Sequence, residues 1–206
     1  MCIRDSPLRD DPRDAVVGQK RLRDLPAGAR VGTSSPRREV QIRAIRPDLD
    51  VVSIRGNVDT RMAKLDAGEY DAIVLALAGL RRIGYDGRVA EILGFEEMLP
   101  APAQGALAVE CRTGDERTRG LLQAVDDPTV RATVTAERSF LAALEAGCSF
   151  PAGAYAEEFG STLKLHGMVA QGGQVFRSKM GGPAETAAGL GRALAVELTD
   201  LANRAS

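Results

Sequence analysis

The segment from Arg30 to Arg38 combines hydroxyl and guanidinium side chains where a strand runs directly into a helix. It reads Arg-Val-Gly-Thr-Ser-Ser-Pro-Arg-Arg, and its candidate binding residues are Thr33, Ser34, Ser35, Arg37 and Arg38. A Ser before Pro36 suits a helix start, and a helix N-terminus attracts anions through free N–H groups and its dipole. The segment indicates an anion-binding corner for carboxylates or phosphates. A capped helix with two solvated arginines explains it about as well.

Two further strand-helix units follow the same plan. Asp50–Arg55 is a predicted strand, Gly56 and Asn57 form the turn, and Asn57 is a plausible N-cap. Asp71–Ala76 is apolar almost throughout, as expected for a strand covered on both faces, and Ala78–Arg82 then begins a helical segment. Three consecutive units of this kind predict a parallel sheet with right-handed crossovers.

In open α/β sheets, ligands bind outside the carboxyl ends of the strands. The second strand end supplies Arg55, Asn57 and Arg61, and the third supplies Arg81 or Arg82. Because three strand ends deliver polar or cationic groups to one edge, the pattern favours a polyanion site over arginines that merely pair with surface carboxylates.

The rest of the chain predicts hinges and a second domain. Arg9–Asp14 is a dense charged turn that indicates a boundary or hinge, with a solvated loop as the alternative. Gln104–Cys111 is predicted to be an apolar strand after a Pro-rich break. A helix over 127–146, three strand-like runs and a final helix with Leu190, Leu194, Leu198 and Leu201 on one face indicate a small α+β domain. In the first helix, Val40, Ala44 and Ile45 are expected to form the buried face.

The predicted fold class is α/β: a periplasmic-binding-protein-like βα domain with a parallel-rich sheet, plus a small C-terminal α+β domain with a three-stranded antiparallel sheet and helices. The expected divisions are 1–10 (unassigned), 11–99 (βα, anion-binding), 100–126 (hinge and remnant of a first domain) and 127–206 (C-terminal domain).

Composition limits the possible functions. The 206 residues are 44% apolar with a net charge of −1, so no global basic field indicates nucleic acid. Of the 27 basic residues, 23 are Arg, which pairs well with carboxylates. Cys2, Cys111 and Cys148 are odd in number and far apart, which predicts neither a disulfide framework nor a metal site. No run is long enough for a membrane helix, and a reducing cytoplasm is the expected setting.

Several motifs occur together in one order that resembles the porphobilinogen deaminase (hydroxymethylbilane synthase) family. They are Gly32–Arg38, Arg55–Arg61, Gly68–Ile73, Ala78–Leu80, Gln104–Gly105, Glu110–Arg112 and Glu145–Cys148 with the following Pro151 and Gly153. The resemblance runs from about Arg9 to the C-terminus.

The resemblance implies a transferase that condenses four porphobilinogen molecules into hydroxymethylbilane, with release of ammonia, in tetrapyrrole and haem biosynthesis. It also implies a covalent dipyrromethane cofactor on Cys148, which has the matching Gly-Cys-x-x-Pro context. By similarity, the cofactor and substrate carboxylates are bound by Thr33, Ser34, Ser35, Arg37, Arg38, Arg55, Gly56, Asn57, Arg61, Arg82 and Gln104. Arg55 and Arg61 are expected nearest the condensing rings, as catalytic residues. A monomer without nucleic-acid or membrane partners is expected.

The departure from the family pattern concerns the first domain. The family's His-Ser-x-Lys-Asp motif, whose Asp guides protons during condensation, is absent from this sequence. We therefore expect an N-terminally truncated chain that is inactive or nearly so by itself. The alternative is a non-catalytic anion-binding module of the periplasmic-binding-protein type, which has no need of Cys148. A nucleotide-binding protein is disfavoured because no Gly-rich phosphate loop is present.

Overall fold

The computed structural model describes residues 2–5, 7–144 and 150–205, with side chains described from residue 7 onward. The strands are β1 (Cys2–Asp5), β2 (Asp14–Gly18), β3 (Arg30–Gly32), β4 (Asp50–Val52), β5 (Ala72–Ala76), β6 (Val89–Ile92), β7 (Val109–Arg112), β8 (Ala152–Phe159), β9 (Thr162–Gln171) and β10 (Gln174–Pro183). The helices are α1 (Pro36–Ile45), α2 (Val58–Asp66), α3 (Leu77–Arg82), α4 (Glu116–Leu122), α5 (Pro128–Ala143) and α6 (Ala187–Ala205). Among the described helices, none combines the length and apolar character needed to cross a bilayer.

The βα domain, predicted over residues 11–99, contains a five-stranded sheet with the order β4-β3-β5-β2-β6. Strands β3, β4 and β5 are parallel and follow one another through α1 and α2, which confirms the three predicted strand-helix units. Strand β2 lies between β5 and β6 and is antiparallel to both. The sheet is therefore parallel-rich rather than wholly parallel, and the sequence analysis missed both β2 and β6.

Both faces of this sheet are covered. Val16 and Val74 pack with Ile42 on one face, whereas Val17 and Ile73 belong to a second apolar cluster on the other. Because successive side chains of a strand point to opposite faces, a strand covered on both sides needs apolar residues at every position. This explains the continuous apolar run of β5.

Helix caps fix where α1 and α2 begin. Ser35 is the N-cap of α1, where its hydroxyl accepts from the backbone N–H of Arg38, and Pro36 occupies the first turn. Asn57 caps α2 by accepting from the backbone N–H of Thr60. Both caps confirm the sequence analysis, because capping depends on residues only three positions apart.

The predicted buried face of α1 is wrong. Ala44 is exposed and Val40 is only half-buried, while the fully buried positions of α1 are Arg37, Gln41 and Ile42. The reason is that α1 packs against polar groups of neighbouring segments, with which Arg37 and Gln41 form hydrogen bonds. Hydrophobic periodicity cannot detect such a face.

The C-terminal domain is an antiparallel meander in the order β10-β9-β8, as predicted. Helices α5 and α6 cover one face and bury Phe140, Leu165, Leu194 and Leu198 together. Of the four leucines predicted on one face of α6, Leu190, Leu194 and Leu198 are buried, whereas Leu201 near the C-terminal end of the helix is 43% exposed.

A two-stranded antiparallel ribbon is formed by β1 and β7, in which Ile3 pairs with Cys111. The predicted strand Gln104–Cys111 is therefore too long, since only Val109–Arg112 is extended and paired. Residues 102–105 form a turn, with Gly105 at φ 84° and Ala103 at φ 65°.

Close packing of α5 against α6 depends on Gly191. A Cβ there would lie 2.7 Å from the backbone N of Phe140 and closer still to the Ala136 carbonyl oxygen, whereas Gly189 in the same helix has no heavy atom within 4 Å of its Cβ position. We expect Gly191→Ala to lower the free energy of unfolding by about 1–3 kcal/mol. Gly189→Ala should be neutral or stabilising by up to about 1 kcal/mol. Urea denaturation measures both, and equal midpoints for the two variants would contradict this packing.

Candidate functional site

The loops after β3 and β4 meet at the carboxyl edge of the parallel strands. Ser34 makes the contact, because its hydroxyl lies 3.0 Å from that of Ser53 and donates to the Ile54 carbonyl. We call residues 33–38 and 53–61 together the rim. The two predicted groups of binding residues therefore lie side by side, as the parallel topology requires.

The rim contains four arginines, of which Arg37 is buried and Arg38, Arg55 and Arg61 are at least partly exposed. Arg55 is exposed, and in the part of the chain that the structure describes its guanidinium has no hydrogen-bond or ion-pair partner. Arg61 is half-buried and donates from Nε to the Gly56 carbonyl at 2.8 Å. Burial, followed by the positive charge of Arg38, lowers the pKa of Arg61, so the two cations repel each other. An anion bound here would relieve that repulsion.

Four of the predicted binding residues shape the loops. Thr33 is buried and accepts from the Ser35 N–H at 3.2 Å, so it braces the turn that holds the Ser35 cap. The Asn57 side-chain oxygen is occupied by the Thr60 N–H and hydroxyl. Gly56 has φ 117°, and a Cβ there would lie 2.7 Å from the Thr60 side chain. These positions give the rim its shape, while Ser34 and Arg55 are exposed and Arg61 is half-buried.

A buried carboxylate, Asp14, holds the rim from behind. It is fully buried and accepts from Arg37 Nη1 at 2.6 Å, Arg38 Nη2 at 2.8 Å and Gln104 Nε2 at 2.9 Å. Burial alone would raise the pKa of Asp14, but Arg38 and Arg37, with the Gln104 hydrogen bond, hold it below its ordinary value. One carboxylate between two guanidiniums leaves a net charge of +1 on this cluster.

Arg37 and Arg38 thus have structural partners. Arg37 is 5% exposed and also donates to the Leu99 carbonyl at 2.6 Å. Arg38 donates to the Val74 carbonyl at 3.1 Å, and its side chain is 11% exposed. Their contacts in this structure fix the position of α1. Direct contact of Arg37 or Arg38 with a cofactor remains a prediction.

The residues that follow the third parallel strand, β5, contact Asp10, Asp11 and Gly105. Arg81 pairs with Asp10 at 3.3 Å and with Asp11 at 3.7 Å, and Arg82 donates to the Gly105 carbonyl at 2.9 Å. Gln104 lies between Asp14 and the Pro12 carbonyl, to which its Nε2 donates at 2.7 Å. These residues fasten the βα domain to the turn at 102–105.

Asp14 was not singled out by the sequence analysis, which treated Arg9–Asp14 as a charged turn at a boundary or hinge. The alternative of a solvated loop is wrong for Asp14, which begins β2 with no exposed surface. A signal was available: Asp14 directly precedes the apolar run Ala15–Val17. An acid next to a buried strand in an Arg-rich chain needs a cationic partner.

Glu137 forms a second buried hub that the sequence analysis missed. It accepts from both Arg9 Nη atoms, at 2.7 and 3.0 Å, and from the backbone N–H groups of Ala103 and Ala156 at 2.6 and 2.9 Å. Burial raises the pKa of Glu137, while Arg9 and the two N–H groups oppose that rise. Helical spacing places Glu137 on the face of Val130 and Val134, so this acid too could have been noticed.

Cys148 lies outside the described residues. The structure does describe β8, which begins four residues later and packs on the hinge segment. A Cβ on Gly153 would lie 3.0 Å from the carbonyl oxygens of Leu99 and Pro100, and the Ala154 N–H donates to Pro100. Leu99 also accepts from Arg37, so the start of β8 is connected to the supports of the rim.

Comparison with known proteins gives the same family for both parts of the chain. Residues 1–120 match the family model described as porphobilinogen deaminase, dipyromethane cofactor binding domain, and residues 131–200 match the porphobilinogen deaminase C-terminal domain. The porphobilinogen deaminase of Roseiflexus sp. (strain RS-1) is 50% identical over 208 residues, covering 100% of this chain and 69% of that protein. That of Nocardia farcinica (strain IFM 10152) is 50% identical over 211 residues, covering 96% and 61%.

Solved structures also match, at low similarity. An arginine-specific periplasmic binding protein of Salmonella typhimurium has 12% identity and a TM-score of 0.39, over 63% of this chain and 59% of that chain. The score is too low to carry an argument about ligand or mechanism.

Removing the charge of Asp14 should destabilise the protein strongly. Asp14→Asn leaves Arg37 buried without a counterion, and breaking one side of a buried ion pair costs about 3–5 kcal/mol. Urea denaturation at pH 7 measures the loss. Asp50→Asn is the matched control, because Asp50 forms only an exposed 3.8 Å pair with Arg30. Equal denaturation midpoints for the two variants would contradict the role of Asp14.

The same carboxylate predicts a pH dependence. Because the pKa of folded Asp14 lies below its ordinary value of about 3.9, its contribution to stability is present above that pH and is lost as the pH falls through the folded pKa. The difference in unfolding free energy between wild type and Asp14→Asn should therefore shrink below about pH 4. A difference that stays constant from pH 7 to pH 3 would contradict the assignment.

Proposed function

Because the chain belongs to the porphobilinogen deaminase family, we propose that its rim binds the carboxylates of porphobilinogen and of a dipyrromethane cofactor carried on Cys148. The family consists of transferases, hydroxymethylbilane synthases, that condense four porphobilinogen molecules in tetrapyrrole biosynthesis. The family model that matches residues 1–120 is named for the dipyrromethane cofactor. The non-catalytic binding module is less well supported, because two deaminase family models together span most of the chain.

Charge complementarity on the rim carries the proposal. Each porphobilinogen has an acetate and a propionate group, and the rim presents Arg55 and Arg61 beside Arg38. Two carboxylates of this region have partners of their own: Asp14 pairs with Arg37 and Arg38, and Asp59 accepts from the Tyr85 hydroxyl at 3.0 Å. The rim therefore offers donors and positive charge, which fits a polycarboxylate ligand.

The residues divide the work by position. The exposed Arg55 and the half-buried Arg61 would orient the carboxylates of the reacting rings. The Ser34 hydroxyl, whose proton is donated to the Ile54 carbonyl, would accept a hydrogen bond at the same edge. The ion pair between Arg37 and Asp14 fixes the position of α1. The rim therefore does not have to reorganise when ligand binds. When bound, the dipyrromethane group supplies the pyrrole end to which further units are added. The fit of the cofactor to this site is judged from the hydrogen-bond donors of the rim, because Cys148 lies outside the described residues.

Two finer statements belong to the same proposal. We place the activity in the cytoplasm, since tetrapyrrole precursors are small soluble acids and the odd number and wide spacing of the three cysteines do not predict a disulfide framework. We also propose a monomer, because one chain carries both the rim and Cys148 and no second copy is needed to bring them together.

Covalent attachment can be tested by intact mass. The purified chain incubated with porphobilinogen should gain the mass of two condensed units, and Cys148→Ala should not. The matched control is Cys111→Ala, which changes a buried thiol in β7 and should keep the gain. An equal gain in Cys148→Ala would assign the cofactor to another residue, and an unmodified wild-type chain would count against the attachment.

We expect the polypeptide of residues 1–206, produced alone, to form hydroxymethylbilane very slowly. The family motif with the proton-guiding Asp is absent from this sequence, and general acid–base help is typically worth about 10²–10⁴-fold. Ammonia release from porphobilinogen measures the rate against a full-length relative. Near-normal turnover would show that residues of this chain supply the acid–base step.

A further inference from the structure

The C-terminal sheet touches the βα domain at both of its edges. Strand β8 packs on Leu99 and Pro100, next to the segment that connects the two domains. Strand β10 is the opposite edge in the order β10-β9-β8, about 10 Å away at two strand spacings. A domain held only at β8 would be free to swing about that edge, so the contact at β10 decides the angle.

That contact is made by Arg177 of β10. Its Nη1 donates to the carbonyls of Glu96 at 2.9 Å and Phe95 at 3.2 Å. Its Nη2 donates to the Glu97 carbonyl at 3.1 Å and to the Gln41 side-chain oxygen at 2.7 Å. All four acceptors belong to the βα domain. A planar guanidinium can meet four acceptors at once, which a lysine ammonium with three donors cannot.

Gln41 connects this contact to the rim. It is fully buried in α1, the helix whose first turn carries Arg37 and Arg38. Its side-chain oxygen also accepts from the Leu99 N–H at 2.8 Å, and its Nε2 donates to the Leu99 carbonyl at 3.1 Å. One amide thus joins α1, the hinge segment and the C-terminal sheet.

Other contacts between the C-terminal sheet and the preceding residues lie on the β8 side. Phe95 stacks on Tyr155 of β8 at 3.9 Å between ring centroids, and the Ala154 N–H of β8 donates to the Pro100 carbonyl at 3.0 Å. Loss of these contacts would weaken the attachment of β8. Loss of Arg177 would leave the β8 contacts in place and remove the hydrogen bonds that hold β10 to the βα domain.

We propose that Arg177 is a positioning residue: its guanidinium, held by four acceptors of the βα domain, sets the angle at which the C-terminal domain faces the rim. In combination with the proposed function, which places the cofactor on Cys148 of that domain, this angle sets the distance between the attachment point and the arginines. A ligand that bridges both domains binds in proportion to the fraction of molecules with the correct angle.

The angle is measurable by residual dipolar couplings on the 206-residue chain, with Arg177→Gln and Arg177→Lys as variants. In the wild type, both domains should share one alignment tensor. In Arg177→Gln, the C-terminal domain should show a smaller alignment than the βα domain, and Arg177→Lys should lie between them. A shared tensor of wild-type size in Arg177→Gln would overturn the proposal.

Arg23→Gln is the matched control. Arg23 donates to the Glu97 carboxylate at 3.0 and 3.1 Å, so it binds the same loop, but it belongs to the βα domain. Its loss should leave one shared tensor. If Arg23→Gln separated the alignment tensors of the two domains as much as Arg177→Gln does, the separation would result from a less stable loop and not from loss of the Arg177 contact between the domains. The proposal would then fail.

A second readout concerns the ligand. For attachment of porphobilinogen measured by intact mass, Arg177→Gln should raise the half-saturating concentration about three- to tenfold with a maximal rate within about twofold. A general loss of structure would lower the maximal rate instead, and that result would count against a positioning role. If the wild type acquires no mass, the proposed function fails while the dipolar couplings still decide the role of Arg177.

Discussion

The ion cluster of Asp14 with Arg37 and Arg38 is the constraint on which the rest of the site depends. A buried carboxylate needs cationic partners, and here it finds both on the first turn of one helix. That pairing fixes α1 against β2, and Gln104 extends it to the hinge turn. Because a half-satisfied cluster costs more than no cluster at all, the strand, the helix start and the turn must assemble together. The positions of the exposed arginines of the rim depend on this cluster.

The two domains are joined by the same kind of chemistry. Glu137 gathers Arg9, Ala103 and the N–H of Ala156 around one buried carboxylate, and Arg177 places one guanidinium among backbone carbonyls. Directional polar contacts of this type fix an angle, whereas an apolar surface would permit sliding. A site whose ligand attaches to one domain and binds its charges on the other requires such a fixed angle.

The rim arginines differ in role although they are the same residue type. Arg37 is enclosed and satisfied, Arg38 is shared between Asp14 and the rim, and Arg55 is exposed to solvent. Sequence similarity to the family assigns all of them to ligand carboxylates. That assignment remains a prediction. Burial and hydrogen bonding show in addition that Arg37 and Arg38 maintain the geometry of α1, and substitution of each residue can examine its contact with the ligand.

The sequence by itself determined the local features: the Ser35 and Asn57 caps, the three strand-helix units, the C-terminal meander and, through ordered motifs, the family. Each of these depends on residues close in the chain or on a pattern of fixed period. Only the tertiary structure decided that Asp14 is buried in an antiparallel β2, that α1 turns Arg37 and Gln41 inward, and that Arg177 reaches the loop at Phe95–Glu97. The partners of these groups lie 23 to 136 residues away, and no local propensity encodes which distant acceptor a buried donor will meet.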